Sequence, residues 1–154
     1  MHEHADADAA RQNDGSERFA VECARLLADD KCDHVVLLDV RGLSQLTDYI
    51  VIGSGRSDRQ MAATLDHACE LGESMGHACL RTSADDRTTW LLADFADVMV
   101  HLFEPGTREH YDLEMLWGDA ERPAWRRTAD STADSTAYGT SESGANGRER
   151  GGGA

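Results

Sequence analysis

The sequence predicts an α/β fold of the α+β kind: a single domain in which a mixed five-stranded sheet packs with two or three helices. Three observations predict it. Short apolar runs of strand length recur along the chain, as at residues 35–40, 49–53 and 98–103. Other stretches repeat apolar residues at helical spacing. Gly, Pro, Ser and Asp punctuate the boundaries between the two kinds.

Taken in order, Ser16 is placed to cap a helix running to about Asp30, with Phe19, Cys23, Leu26 and Leu27 on one face at i, i+4, i+7 and i+8. Residues 35–40 read as a strand covered on both sides, 41–45 as a turn, and 49–53 as a second buried strand. Ser57 is a second cap, for a helix over 58–75 whose apolar stripe is Met61, Leu65, Ala68, Gly72 and Met75, stopped by Gly76. Residues 77–82 form a weaker strand before the polar loop 83–87. Residues 90–93 and 98–103 read as an antiparallel hairpin about the turn 94–97. Pro105 and Gly106 then break the chain ahead of a last helix over about 108–120, where Leu113, Leu116 and Trp117 make an apolar stripe. The order is α-β-β-α-β-β-β-α.

Residues 1–15 and 128–154 lack apolar periodicity and read as disordered tails flanking a domain at 16–127. The chain of 154 residues has a net charge of −14, and residues 17–127 alone hold 21 Asp and Glu against 12 Lys and Arg. Phosphate contacts need a basic footprint, so binding of free nucleic acid is not expected. An acidic surface suits a basic protein partner. Cys23, Cys32, Cys69 and Cys79 form no C-x-x-C pair, which gives no reason to expect a metal site or a cofactor. No apolar run approaches the ~20 residues of a membrane span, and the reading is cytoplasmic.

In a strand of period two, Trp90 shares a face with Leu92 and Asp94. A purely buried face does not end in an aspartate, and an aromatic beside a carboxylate on an open sheet suits a binding hot spot. The alternative is that Trp90 packs under the last helix. Arg108 is poorly placed for its own helix dipole and needs Glu104, Asp94 or a partner. Asp48 is a turn cap or an acceptor for Arg59. His101 alternates with Val100 and Leu102, as a core histidine held by a buried hydrogen bond does, and Trp117 reads as core.

These segments carry a resemblance. Leu38-Asp39-Val40, Leu43-Ser44, Thr47-Asp48-Tyr49-Ile50-Val51-Ile52, Gly55-Arg56-Ser57, Arg59-Gln60, Trp90-Leu91-Leu92 with Asp94, Val100-His101, Phe103 and the 108–120 segment occur in an order that resembles the ribosomal silencing factor (RsfS, or Iojap) family over residues 17–122. The resemblance implies a fold like that of nucleotidyltransferases but no catalysis. It implies docking on the large ribosomal subunit at its intersubunit face, through a small basic large-subunit protein. Small-subunit joining is then blocked sterically and translation repressed, and a role in large-subunit maturation is associated with the same family. The expected contact patch is Trp90, Leu92, Asp94, Phe95, Arg108 and Tyr111, with Asp112 and Glu114 supplying acidic complementarity. Ala96 stands where Gly is usual, which predicts a less extreme turn there.

Two other classes compete. A homodimeric interaction module with another target could use Trp90 or Tyr111 for a self-interface. An enzyme of phosphoryl or nucleotidyl transfer could use Gly53-Ser54-Gly55 as a phosphate turn and Asp94 and Asp97 for Mg²⁺. It lacks the G-x-x-x-x-G-K-[ST] and G-x-G-x-x-G patterns, and close packing alone explains those glycines.

Overall fold

The structure, a computed structural model, describes the backbone of residues 2–111 and 113–127 and the side chains of residues 15–109 and 115–127. The order is α1 (His2–Asp29), β1 (Asp33–Asp39), β2 (Tyr49–Ser54), α2 (Asp58–Ser74), β3 (Arg81–Ala84), β4 (Trp90–Asp94), β5 (Val98–Phe103), α3 (Pro105–Tyr111) and α4 (Leu113–Leu116). The strands form one sheet in the order β1-β2-β5-β4-β3. Only the central β2–β5 pair is parallel, so the sheet is mixed and five-stranded as expected. Residues 128–154, expected as a tail, lie outside the described residues.

α1 does not begin at Ser16. Its backbone is helical from His2. Ser16 is instead buried within the helix and its hydroxyl donates to Asp97 Oδ2 at 3.1 Å. The stretch 1–15, expected as a tail, therefore carries helical backbone from His2 onward.

Ser57 does cap α2, accepting from the Gln60 amide, and Gly76 follows the helix at φ +82°. Gly72, on the apolar stripe, is there for close approach: a Cβ would lie 2.4 Å from the His77 carbonyl oxygen and 2.8 Å from Phe95 Cε1. The third strand is displaced from the expected 77–82 to Arg81–Ala84. The chain first returns along α2, with the His77 amide donating to the Gly72 carbonyl, and its pairing with β4 starts only where Leu80 donates to the Asp94 carbonyl.

Strand alternation gives the sheet two faces. α1 and α2 cover the first, where Phe19, Cys23 and Leu27 of α1 and Met61 and Leu65 of α2 pack on Leu37, Val51, Val100 and Leu102. The second carries Leu38, Ile50, Ile52 and Phe103 under Trp117 and Ala120, so Trp117 packs on the core as expected. Helical backbone covers Pro105–Tyr111 (α3) and Leu113–Leu116 (α4), with Asp112 between them outside the described residues, and it stops short of the expected end near residue 120. Pro105 starts α3, where its missing N–H is not needed, and α4 ends at Leu116 in a turn closed by Gly118 donating to the Met115 carbonyl. Leu116 is 69% exposed and so leaves the expected stripe.

The hairpin turn is more extreme than its alanine suggested. Ala96 has φ +70°, the left-handed region that favours glycine. The Asp94 side chain holds it there by accepting from the Ala96 amide at 2.8 Å. Ala96→Gly is expected to stabilise the fold by about 0.5–1 kcal/mol, read as a raised urea midpoint at unchanged slope.

Candidate functional site

The second sheet face is covered by residues 117–120 over β1 and β2 and half open over β4 and β5. Trp90, Leu92 and Asp94 share this open end, opposite Phe103, His101 and Met99 respectively. The first three are half-buried.

The indole of Trp90 lies over Phe103, with centroids 5.1 Å apart at 26°, and beside His101 at 6.0 Å. Its N–H donates to His101 Nδ1 at 3.1 Å. An indole N–H can only donate, so Nδ1 is an acceptor and the imidazole is the neutral tautomer with its proton on Nε2. Burial agrees, pushing the His101 pKa down to about 4 from an ordinary 6.5. His101 is thus the hydrogen-bonded core histidine expected, and its role is to position the Trp90 ring.

That shift has a consequence for stability. The folded state disfavours the charged imidazole, so its contribution is complete above pH 6.5 and is lost as pH falls from 6.5 towards 4. The loss is roughly 3 kcal/mol. Asp39, held below the carboxylate range by hydrogen bonds from Arg41, loses its contribution only below about pH 4. Exposed His67, raised by Asp30, acts with the opposite sign. Urea midpoints from pH 7 to 4 should therefore fall steeply in the wild type and much less in His101→Phe.

Asp94 is not a free acid. One oxygen holds the Ala96 amide, and the other faces Arg81 Nε at 3.3 Å across the β3–β4 ladder. Phe95 leaves the expected patch: it is 4% exposed on the opposite, covered face, edge-on to Phe19 at 4.9 Å. The turn reverses the chain between Asp94 and Val98, and Phe95 falls on the α1 side. Arg108 pairs with neither Glu104 nor Asp94 in the ways expected; its guanidinium donates to Ser54 Oγ at 2.9 Å. Ser54 stands in the same cross-strand row as Phe103 and Trp90. Tyr111 and Glu114 lie on helical backbone in α3 and α4, their side chains outside the described residues, and Asp112 lies outside them altogether.

Asp48 does not receive Arg59. Burial and the nearby Asp97 raise its pKa, and its backbone is fixed by the Asp97 carbonyl at 2.9 Å. Gly53 and Gly55 are explained by packing, since a Cβ on them would meet Leu27 Cδ2 at 2.8 Å and the Met61 side chain respectively. Sequence reasoning missed Met99 and Arg81, which flank Asp94 on the open face. It also missed the exposed Leu46 (84%) and Met115 (78%). Counting the hairpin register outward from residues 94–97 would have found Met99, because it falls opposite Asp94.

A single α+β domain, its mixed sheet covered on one face and half open on the other, is the class of protein these features define. The sequence profile described as "Ribosomal silencing factor during starvation" matches residues 13–150, extending past residue 122, where the resemblance was expected to stop. A ribosomal silencing factor RsfS of Bacillus subtilis is 33% identical over 106 residues, covering 68% of this chain and 90% of its own. The mouse protein named "Mitochondrial assembly of ribosomal large subunit protein 1" is 32% identical over 95 residues, covering 60% of this chain and 42% of its own. A crystal structure of a Chromobacterium violaceum protein superposes with a TM-score of 0.59 at 27% identity, covering 74% of this chain and 92% of that one. The chain belongs to the ribosomal silencing factor (RsfS, Iojap) family, and its role is ribosome-related. Among the described residues no helix is long and apolar enough to cross a membrane.

Proposed function

We propose that this protein docks the open end of its second sheet face on a basic protein of the large ribosomal subunit, at the intersubunit face, and so prevents the small subunit from joining. The mechanism is competition for a surface, without catalysis, and it acts in the cytoplasm. The observation that carries the reading is the half-buried Trp90–Leu92–Asp94 strand face. A rigid indole, already satisfied by His101, is presented there on a protein of net charge −14. Such a surface offers a basic partner an apolar anchor and a favourable field. The name of the mouse relative, which speaks of large-subunit assembly, supports the choice of subunit.

Sedimentation of purified ribosomal subunits on sucrose gradients tests it. Co-migration with the large subunit and loss of joined ribosomes are expected, both weakening as salt rises from 50 to 300 mM and the Debye length shrinks through about 10 Å. A protein that stays at the top of the gradient while the subunits join normally would overturn the reading. The homodimer module is the second reading, favoured by the exposed outer strand β3 and by Leu80 beside it. An apolar self-interface, in contrast, should persist at high salt.

A further inference from the structure

Residues 121–127, after α4, run back along the outer edge of β1 and are pinned at both ends. The Asp39 amide donates to the Glu121 carbonyl at 2.8 Å. At the other end Arg25 Nε donates to the Trp125 carbonyl at 2.7 Å, and Arg127 pairs with Asp29 at 3.2 Å. Between these anchors the segment stands off from β1, and two adjoining cavities of about 680 and 450 Å³ open along the gap. A β-bulge shapes one wall: the β1 register shifts between Asp33 and Val36, with His34 at φ +51°.

The two cavities share Val35, Val36, Arg122 and Arg126 but differ in chemistry. The larger adds Arg108, His34 and Ser54. The smaller adds Leu37, Pro123 and Trp125. In a chain with 29 acidic against 15 basic residues, three arginines thus converge on one cavity. Glu109 is the carboxylate in its lining. Among the described residues neither Arg122 nor Arg126 has a carboxylate partner, and Arg126 lies over the Trp125 ring at 5.0 Å. Arg108 is held in place by Ser54. Planar guanidinium forks placed around a concavity match phosphate oxygens. An apolar lobe with an indole next to them matches a flat heteroaromatic ring. Cavities of this combined size suit a small molecule rather than a lone inorganic ion.

We propose that the cleft between β1 and residues 121–127 binds a free nucleotide bearing two or more phosphates, which lie among Arg108, Arg122 and Arg126 while the base enters the lobe of Pro123 and Trp125. This site lies on the β1 edge, away from the Trp90–Leu92–Asp94 face offered to the ribosome, and takes Arg108, expected in the docking patch, for itself. Nucleotide binding is read without the ribosome and stands or falls apart from docking.

Titration calorimetry and tryptophan fluorescence on the full chain, with ADP, GDP, inorganic phosphate and a short single-stranded oligoribonucleotide as separate probes, test it. Saturable one-to-one binding of ADP or GDP is expected, weakened about tenfold or more in Arg122→Ala and further in Arg122→Ala/Arg126→Ala. Glu109→Gln, which removes the opposing charge, should tighten binding by about twofold or more. Both arginines are exposed, so circular dichroism should show these variants folded. The proposal fails if neither nucleotide saturates at millimolar concentration, or if the arginine substitutions leave the affinity unchanged. It also fails if phosphate alone binds as tightly, or if the oligoribonucleotide binds tighter than either nucleotide, which would mark a surface for RNA backbone.

Discussion

Replacing Phe19 with alanine is expected to cost about 3–5 kcal/mol of stability, a fall in Tm on the order of 15 °C. Phe19 is fully buried and joins three parts of the molecule that are distant in sequence. From α1 its ring stacks on His77 at 4.7 Å, beyond the end of α2, and meets Phe95 of the β4–β5 turn edge-on at 4.9 Å. Deleting the ring leaves a cavity between elements held by their own backbone ladders, which cannot collapse to fill it. The site is further constrained because Gly72, against Phe95 and the His77 carbonyl, already allows no Cβ. Phe19→Leu, which keeps most of the volume, should recover more than half of the loss in urea unfolding. An alanine variant as stable as Phe19→Leu would show that these rings do not hold the helix to the sheet.

Trp90→Ala is expected to act on both stability and docking, and a pair of variants separates the two. In the folded protein the indole covers Phe103 and supplies the donor to His101. Trp90→Phe keeps an aromatic ring over Phe103 but leaves Nδ1 of a buried histidine without its donor, at a cost of about 1–2 kcal/mol of stability. Trp90→Ala removes the ring as well and costs about 3 kcal/mol or more. On the ribosome the outcomes should part differently. If Trp90 anchors docking, the alanine variant loses about 2 kcal/mol or more of affinity, roughly thirtyfold in Kd, while the phenylalanine variant stays within a few-fold. Binding measured at low temperature, where both variants remain folded, reads this directly. Equal affinity of wild type and Trp90→Ala would remove β4 from the interface.

Strands β2 and β5 and helix α2 were legible because each obeys a single local rule. Ser57 and Gly76 bracket α2 with cap chemistry, and β5, Val98–Phe103, is an apolar run broken by His101 alone. The elements that moved were decided at a distance. β3 carries no apolar alternation, and its place follows from where β4 can accept a partner. Ser16 has the chemistry of a cap but spends its hydroxyl on Asp97, across the fold. On the candidate surface, alternation correctly grouped Trp90, Leu92 and Asp94. Phe95 was placed in the patch by the resemblance alone; alternation puts residue 95 on the face opposite Asp94, where its buried ring meets Phe19. Arg108 was recognised as needing a counterpart, but Ser54 lies in a strand more than fifty residues earlier. No local pattern announces such a pair. The cleft beside β1 was invisible for the same reason, since it exists only where residues 121–127 return to the sheet.

The parallel β2–β5 seam also sets an order of events during synthesis. β1 and β2 are consecutive and form an antiparallel hairpin as soon as both have left the ribosome. β2 then has one side paired and the other waiting, because its second neighbour is made only after α2, β3 and β4. Closing that long loop is the non-local step that slows folding. Until it closes, Tyr49, Ile50, Val51 and Ile52, all buried in the finished sheet, form a sticky open edge on the nascent chain. A member of a ribosomal silencing factor family is thus expected to be most prone to aggregate while it is still attached to the ribosome that makes it.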